Sequence, residues 1–217
     1  ANSGDKNAKV EVKVLQTLYD KLSDATFINV DELFDDEDEL KIAKQSQLMC
    51  IKPVIYAANV SETDVVSGND YTKIVDEYAK KHGAEMVIIS ARIEEELAEL
   101  SPEEAKEYLA ELGIENSGIE KMIQAVYHLL NLRTYITAGE IEVKAWTITA
   151  GTKAPQAAGV IHTDFEKGFI RAEVISYDDF LACNGSYTVA KEKGVMRLEG
   201  KDYVVQDGDI MHFRFAN

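Results

Sequence analysis

Apolar positions recur at a helical period over residues 5–25, where Ala8, Leu15 and Leu22 stand seven apart, Leu18 and Ala25 fill intervening positions and Glu11 is the polar exception. The stripe fits a coiled-coil seam whose antiparallel mate lies upstream or on another copy, and equally an amphipathic helix packed on a globular body. Next, the acidic run 31–39, broken by Leu33 and Phe34, reads as a solvated turn and the N-terminus of a short helix over about 37–49, where carboxylates suit the dipole. From Pro53 the pattern alternates as in a βα fold: strand 54–58, helix 71–82, strand 86–90, then a helical region to 132. Within that region Ser101-Pro102-Glu103-Glu104 marks a helix start and Gly113 a stop. A further helix is expected over 119–132 with Ile119, Ile123, Val126, Leu129 and Leu130 as its apolar face, and Glu94 to Glu96 read as a solvated helix face.

Near Arg133 the period changes. Strands are expected at 141–150, containing Trp146, and 169–174, helices at 155–162 and 176–183, and a hairpin over 202–215 turning at Asp207-Gly208-Asp209. Small strands around short helices predict a compact α+β module of about 80 residues.

Composition narrows the function classes. The chain has 217 residues, 46% of them hydrophobic and 29% charged, an ordinary soluble balance. No run approaches the roughly 20 apolar residues needed to span a bilayer, and residues 1–14 form no signal-peptide core, so no membrane partner and a cytoplasmic location are expected. The net charge of −16 argues against a general nucleic-acid-binding surface. Residues 1–133 hold 14 basic and 27 acidic side chains and 134–217 hold 9 and 12, which leaves room for a local basic face in the second part. Lys153, Lys167, Arg171, Lys191, Lys193, Lys201 and Arg214 are its candidates, against a solvated mixed-charge surface.

Cys50 and Cys183 lack disulfide or zinc spacing and read as small core hydrophobes. His82, His128, His162 and His212 fall on separate elements with no triad or metal spacing, and His162 reads as a bridge between helix and loop beside Thr163 and Asp164. Trp146 and Phe169 read as core. Neither catalytic nor metal-ligating residues are singled out.

The chemistry-bearing stretch is the apolar strand ending in Asn59-Val60-Ser61-Glu62, with a second apolar strand ending in Ser90-Ala91. An Asn-x-x-acid loop beside a Ser-Ala loop is how a G domain reads a base, although taken alone it is as readily a helix start or turn. The chain contains no Gly-x-x-x-x-Gly-Lys-Ser/Thr loop to cradle phosphates. In ordinary GTPases the loop is Asn-Lys-x-Asp, whose Asp accepts from guanine N1 and N2. Glu62 in that place shifts the carboxylate, and adenine lacks those donors, so guanine preference should weaken.

Two longer blocks, AAGVIHTDFEKGFIRAEV over 157–174 and DGDIMHFRF over 207–215, together with these loops closely resemble the YchF family, the Obg-like ATPases of the translation-factor class of P-loop GTPase-like proteins. The resemblance runs through essentially the whole chain. It implies a helical coiled-coil segment at 1–49, the C-terminal half of an α/β G domain at 50–133, and an α+β ubiquitin-like β-grasp (TGS) domain at 134–217. It further implies that the chain starts inside the family's helical insertion, as the C-terminal part of a longer, ribosome-associated protein. By the same likeness Asn59 orders the loop and faces the base, Val60 packs beside it with Glu62 following, Ser90 and Ala91 close the opposite edge, and ATP is preferred over GTP. Phosphate binding and Mg2+ coordination would come from the missing N-terminal part, so this chain alone is expected to hydrolyse no ATP and to bind it weakly or not at all. A different class of reading is a non-catalytic module that engages RNA, ribosome or protein partners through the TGS domain, with self-association through the N-terminal helix.

Overall fold

The structure, a computed structural model, describes residues 6–23, 27–139 and 142–216. It divides into two compact units, residues 1–122 and 123–217.

The first unit opens with α1, Lys6–Leu22. Val14 and Leu18 are fully buried and Val10 partly so, packed with Ile28, Val30, Phe34 and Ala43 from the segment holding α2 (Val30–Leu33) and α3 (Glu37–Gln45). The helix therefore carries two stripes: 10, 14 and 18 face this small core, while Val12, Leu15, Tyr19 and Leu22, at heptad spacing, are 38–67% exposed. Asp5 and Ala25 of the expected helix lie outside the described residues. The acidic run does what helix starts ask of carboxylates, since Asp36 accepts the backbone N–H groups of Asp38 and Glu39 at 3.0 and 3.1 Å. Helix α3 stops four residues before the expected end, with Gln47 at φ 54° behind it.

Strand β1 (Ile55–Asn59) pairs in parallel with β2 (Glu85–Ile89) through the crossover helix α4 (Asp70–Lys81). Asn69 caps α4 by accepting from Tyr71 and Thr72, and the Thr72 hydroxyl accepts the Asn69 N–H at 2.9 Å. Gly68 precedes this cap at φ +68°, where a side chain would also meet Thr72 Oγ1 at 2.5 Å. Helices α5 (Ala91–Ala98), α6 (Pro102–Glu111) and α7 (Gly118–Leu129) follow. Ser101 and Glu104 form the capping box of α6 that the sequence announces. Two expectations are corrected. Ile119, Ile123 and Leu130 on the predicted apolar face of α7 are about half exposed. Glu94 and Glu96 are engaged, Glu94 Oε1 accepting the Gly118 N–H at 2.6 Å and Glu96 accepting from the Tyr108 hydroxyl.

In the second unit β3 (Leu132–Ala138) and β4 (Val143–Thr149) form an antiparallel pair, followed by α8 (Ala154–Ile161), α9 (Thr163–Lys167), β5 (Phe169–Ser176), α10 (Tyr177–Ala182), α11 (Tyr187–Glu192), β6 (Arg197–Glu199) and β7 (Asp209–Phe215). The sheet order is β4-β3-β7-β5-β6, with β7 parallel to β3 and antiparallel to β5. On one face Tyr135, Phe169, Ala172, Val174, Met211 and Phe213 pack with Ala154, Ala157 and Ala158 of α8, whose small side chains bring that helix close to the sheet. The Tyr135 hydroxyl, fully buried, donates to the Ala157 carbonyl at 2.8 Å, and burial pushes its phenol pKa up. On the other face Ile175 and Ile210 pack with Cys183 and Ala190, so Cys183 is core, while Cys50 is half-buried in the first unit.

The hairpin expected over 202–215 does not form. Val204 makes an isolated bridge with Lys153, and the Asp207-Gly208 turn is sewn to β3: the Thr134 N–H donates to Asp207 Oδ1 at 2.7 Å and the Gly208 N–H to the Thr134 carbonyl at 2.8 Å. Asp209, 2% exposed, accepts from the Tyr203 hydroxyl (2.7 Å), the Gln206 N–H (2.9 Å) and Arg197 (3.3 Å). Burial and this carboxylate push the Tyr203 phenol up to about 12. His162, expected between helix and loop, instead joins two helices: it follows α8 directly and caps α9, its Nδ1 accepting the Asp164 N–H at 3.2 Å. Phe169 is core, and Trp146 packs against the same cluster, with Nε1 donating to Thr137.

Candidate functional site

Parallel pairing places the ends of β1 and β2 side by side, with Asn59 opposite Ile89, so the two loops singled out by sequence leave the sheet at one edge. The Val60 N–H donates to the Ile89 carbonyl at 2.9 Å, extending the ladder one residue into the first loop. Beyond it the Asn59 side chain crosses over, its Oδ1 accepting the Ala91 N–H at 3.0 Å. One carboxamide thus fixes the spacing of both loops, and Asn59 itself is exposed at the edge.

The other predicted residues divide. Glu62 opens a short 3-10 turn, Glu62–Asp64, and its carboxylate reaches the second loop, where Arg92 Nε lies 2.8 Å from Oε1. Val60 is half-buried and packs against the cluster of Val65, Ile93 and Ile114. Ser90 is 2% exposed, its Oγ without a hydrogen-bond partner, in a small space lined by Val65, Ile93, Leu109 and Ile114 together with Glu94 and Ser117. At this edge Asn59, Ala91 and Arg92 are exposed, and Glu62 is half-buried against Arg92.

Arg92 was not among the residues the sequence singled out. Its Nε also lies 3.3 Å from Glu96 Oε1, and Glu96 takes the Tyr108 hydroxyl, so Glu62, Arg92, Glu96 and Tyr108 form one chain of contacts. The Tyr108 hydrogen bond and then Arg92 hold the Glu96 carboxyl below its ordinary range. The available signal was the position of Arg92 directly after Ala91 in the second loop.

The basic residues of the second unit do not converge on one face. Lys153 pairs with Asp202 at 2.8 Å, and Lys191 and Lys193 belong to α11 and its end. Arg171 and Arg214 do meet as register partners on β5 and β7, beside His212. With Ile170 and Phe215 they line a shallow hollow of about 530 Å3. Glu173 Oε2 lies 3.1 Å from Arg214, and burial, followed by the Arg214 charge, lowers the His212 pKa. Among the described residues no group of three or more His, Cys, Asp or Glu is placed to hold a metal ion, and no helix is long and apolar enough to cross a membrane.

Comparison with known proteins accords with this geometry. The family model YchF-GTPase_C, described as a protein of unknown function (DUF933), matches residues 132–216. The ribosome-binding ATPase YchF of Haemophilus influenzae is 53% identical over 215 residues, which cover 99% of this chain and 58% of that protein. Its namesake in Bacillus subtilis is 48% identical over 217 residues, with the same two coverages. Obg-like ATPase 1 of Rattus norvegicus is 44% identical over 182 residues, 82% of this chain and 46% of the rat protein. The solved structure of the Schizosaccharomyces pombe YchF GTPase superposes with a TM-score of 0.77 at 36% identity, covering 95% of this chain and 55% of that one. The chain thus spans 58% of the length of these bacterial relatives. Identity near one half along almost all its residues, joined to a shared mixed α/β fold, makes the chain a member of the YchF family of Obg-like ATPases.

Proposed function

We propose that this chain supplies the base-recognising edge of a YchF-type, ribosome-associated ATPase that takes ATP in preference to GTP. The observation that carries the reading is the Asn59 carboxamide joining the two loops at the ends of β1 and β2, which places an exposed Asn59 and a half-buried Glu62 at one edge. Adenine is favoured because Glu62 stands where guanine readers carry Asp and Val60 where they carry Lys. These residues fit a base and leave its phosphates unserved, so phosphate and Mg2+ binding fall to a P-loop that this sequence does not contain. Hydrolysis accordingly belongs to a longer parent, and a cytoplasmic setting follows from the ribosome association.

Nuclear magnetic resonance titration of the labelled chain with AMP tests this directly. Shifts confined to the amides of 59–64 and 90–92, lost in Asn59→Ala, are expected at millimolar nucleotide. Absence of any shift there would overturn the base-edge role, and tight ATP binding by calorimetry would overturn the assignment of phosphate binding to other residues.

A second reading has its own observation. The β-grasp assignment of the second unit is supported by its strand order, in which the last strand lies between the first and the third. Arg171, His212 and Arg214, exposed around the shallow hollow of the sheet, suit a phosphodiester backbone, in a chain otherwise strongly acidic. RNA affinity that falls steeply with salt, and weakens in Arg171→Gln, is expected; salt-independent affinity refutes it.

A further inference from the structure

We infer that Arg92 is a positioning residue that sets base preference by occupying the Glu62 carboxylate. The inference rests on the base-edge reading and extends it to a residue outside both loop motifs. A carboxylate discriminates for guanine because two of its acceptor positions meet the N1–H and N2–H donors at once. Here Oε1 of Glu62 already lies 2.8 Å from Arg92 Nε. The guanidinium also neutralises the charge that would attract those donors, and a guanine would have to share or displace it.

The arrangement is held from behind. Arg92 sits in the first turn of α5, its Nε–H donates to Glu96 Oε1 at 3.3 Å, one turn further along the helix, and its contact with Glu62 is an ion pair. Glu96 is in turn fixed by the Tyr108 hydroxyl from α6. Among the described residues Glu62 and Glu96 are the carboxylates that face Arg92, so the cation stands between the base-side carboxylate and an anchored one. Adenine offers an amino group and ring acceptors on the same edge and needs no bare carboxylate there, so the pair penalises guanine selectively. Because Arg92 is 74% exposed, replacing it removes the pair without opening the core.

The test is a pair of titrations, AMP and GMP separately, on the labelled chain and on its Arg92→Gln and Arg92→Lys variants, following the amides of 59–64 and 91. Arg92→Gln is expected to raise GMP affinity relative to AMP by about three- to tenfold, the range for a partly exposed charge-assisted contact. Arg92→Lys, which keeps the cation, is expected to restore most of the original ratio. A ratio in Arg92→Gln equal to that of the parent chain, with both nucleotides still shifting the loop amides, overturns the inference alone. Loop amides that respond to neither nucleotide overturn the base-edge reading and this inference together.

Discussion

Replacing Gly168 with Ala is expected to destabilise the second unit, against the usual benefit of removing a glycine. Gly168 joins α9 to β5 at φ −87°, a conformation open to alanine, so torsion imposes no penalty. In such a case the stiffer unfolded chain normally stabilises a protein by about 0.4–1 kcal/mol. The neighbours decide otherwise. A Cβ at 168 would stand 2.2 Å from the Ala216 carbonyl oxygen and 3.2 Å from that of Asp164. Ordinary contact begins near 3.4 Å, so the Ala216 carbonyl must retreat by about 1.2 Å. The Ala216 N–H donates to the Gly168 carbonyl at 2.8 Å, and Phe169 pairs with Phe215 one step along, so the retreat strains the end of the β5–β7 ladder. Overpacking costs about 1–3 kcal/mol and a lost hydrogen bond about 1 kcal/mol, and together they outweigh the entropy gain by about 1–3 kcal/mol. Urea unfolding followed by the fluorescence of Trp146, the single tryptophan of the sequence, reads this unit selectively. A variant as stable as the parent, or more so, would refute the steric argument.

Two further outcomes are expected. Tyr135→Phe should cost about 1–2 kcal/mol in the same assay, because it removes a fully buried hydroxyl bonded to Ala157 while keeping the ring; a neutral result would mean that this hydrogen bond contributes nothing net. The lowered pKa of His212 means that the folded state resists its protonation, so its contribution to stability is intact above the ordinary value of 6.5 and is lost as pH falls through 6.5 toward the folded value. Arg214→Gln removes the second-largest cause and should raise the His212 pKa measured by imidazole proton shifts; an unchanged or lower value would contradict it.

Local chemistry made much of the chain legible before the structure. The capping box at Ser101 and Glu104, the carboxylate cap at Asp36 and the apolar runs of β1 and β2 act within a few residues, and each element lies within a few residues of its expected place. Strand β3 was missed because Arg133, Thr134 and Thr137 dilute its apolar pattern, and because it follows α7 after a tight turn in which Asn131 has φ 51°. Helices α9 and α11 and strand β6 are only three to six residues long, too short for a periodic signal. The hairpin expected near Asp207 failed for a different reason: turn residues were present, but β7 finds its partners in β3 and β5, far away in sequence. At the site the same division holds. Asn59 and Glu62 stood out by spacing, whereas the inward turn of Ser90 and the reach of Arg92 to Glu62 depend on how two distant segments meet.

The placement of β7 bears on how the second unit comes into being. As the chain is synthesised, β3 and β4 emerge as one ribbon and β5 and β6 as another, and neither pairs with the other. The strand that joins them is the last of this sheet's five, among the described residues, to be made, and it enters at the centre, with the turn before it held to Thr134 by Asp207 and its first residue, Asp209, set opposite Ser176. Until it arrives, two inward-facing edges stand open to any passing strand, a hazard that ends only when β7 closes the gap.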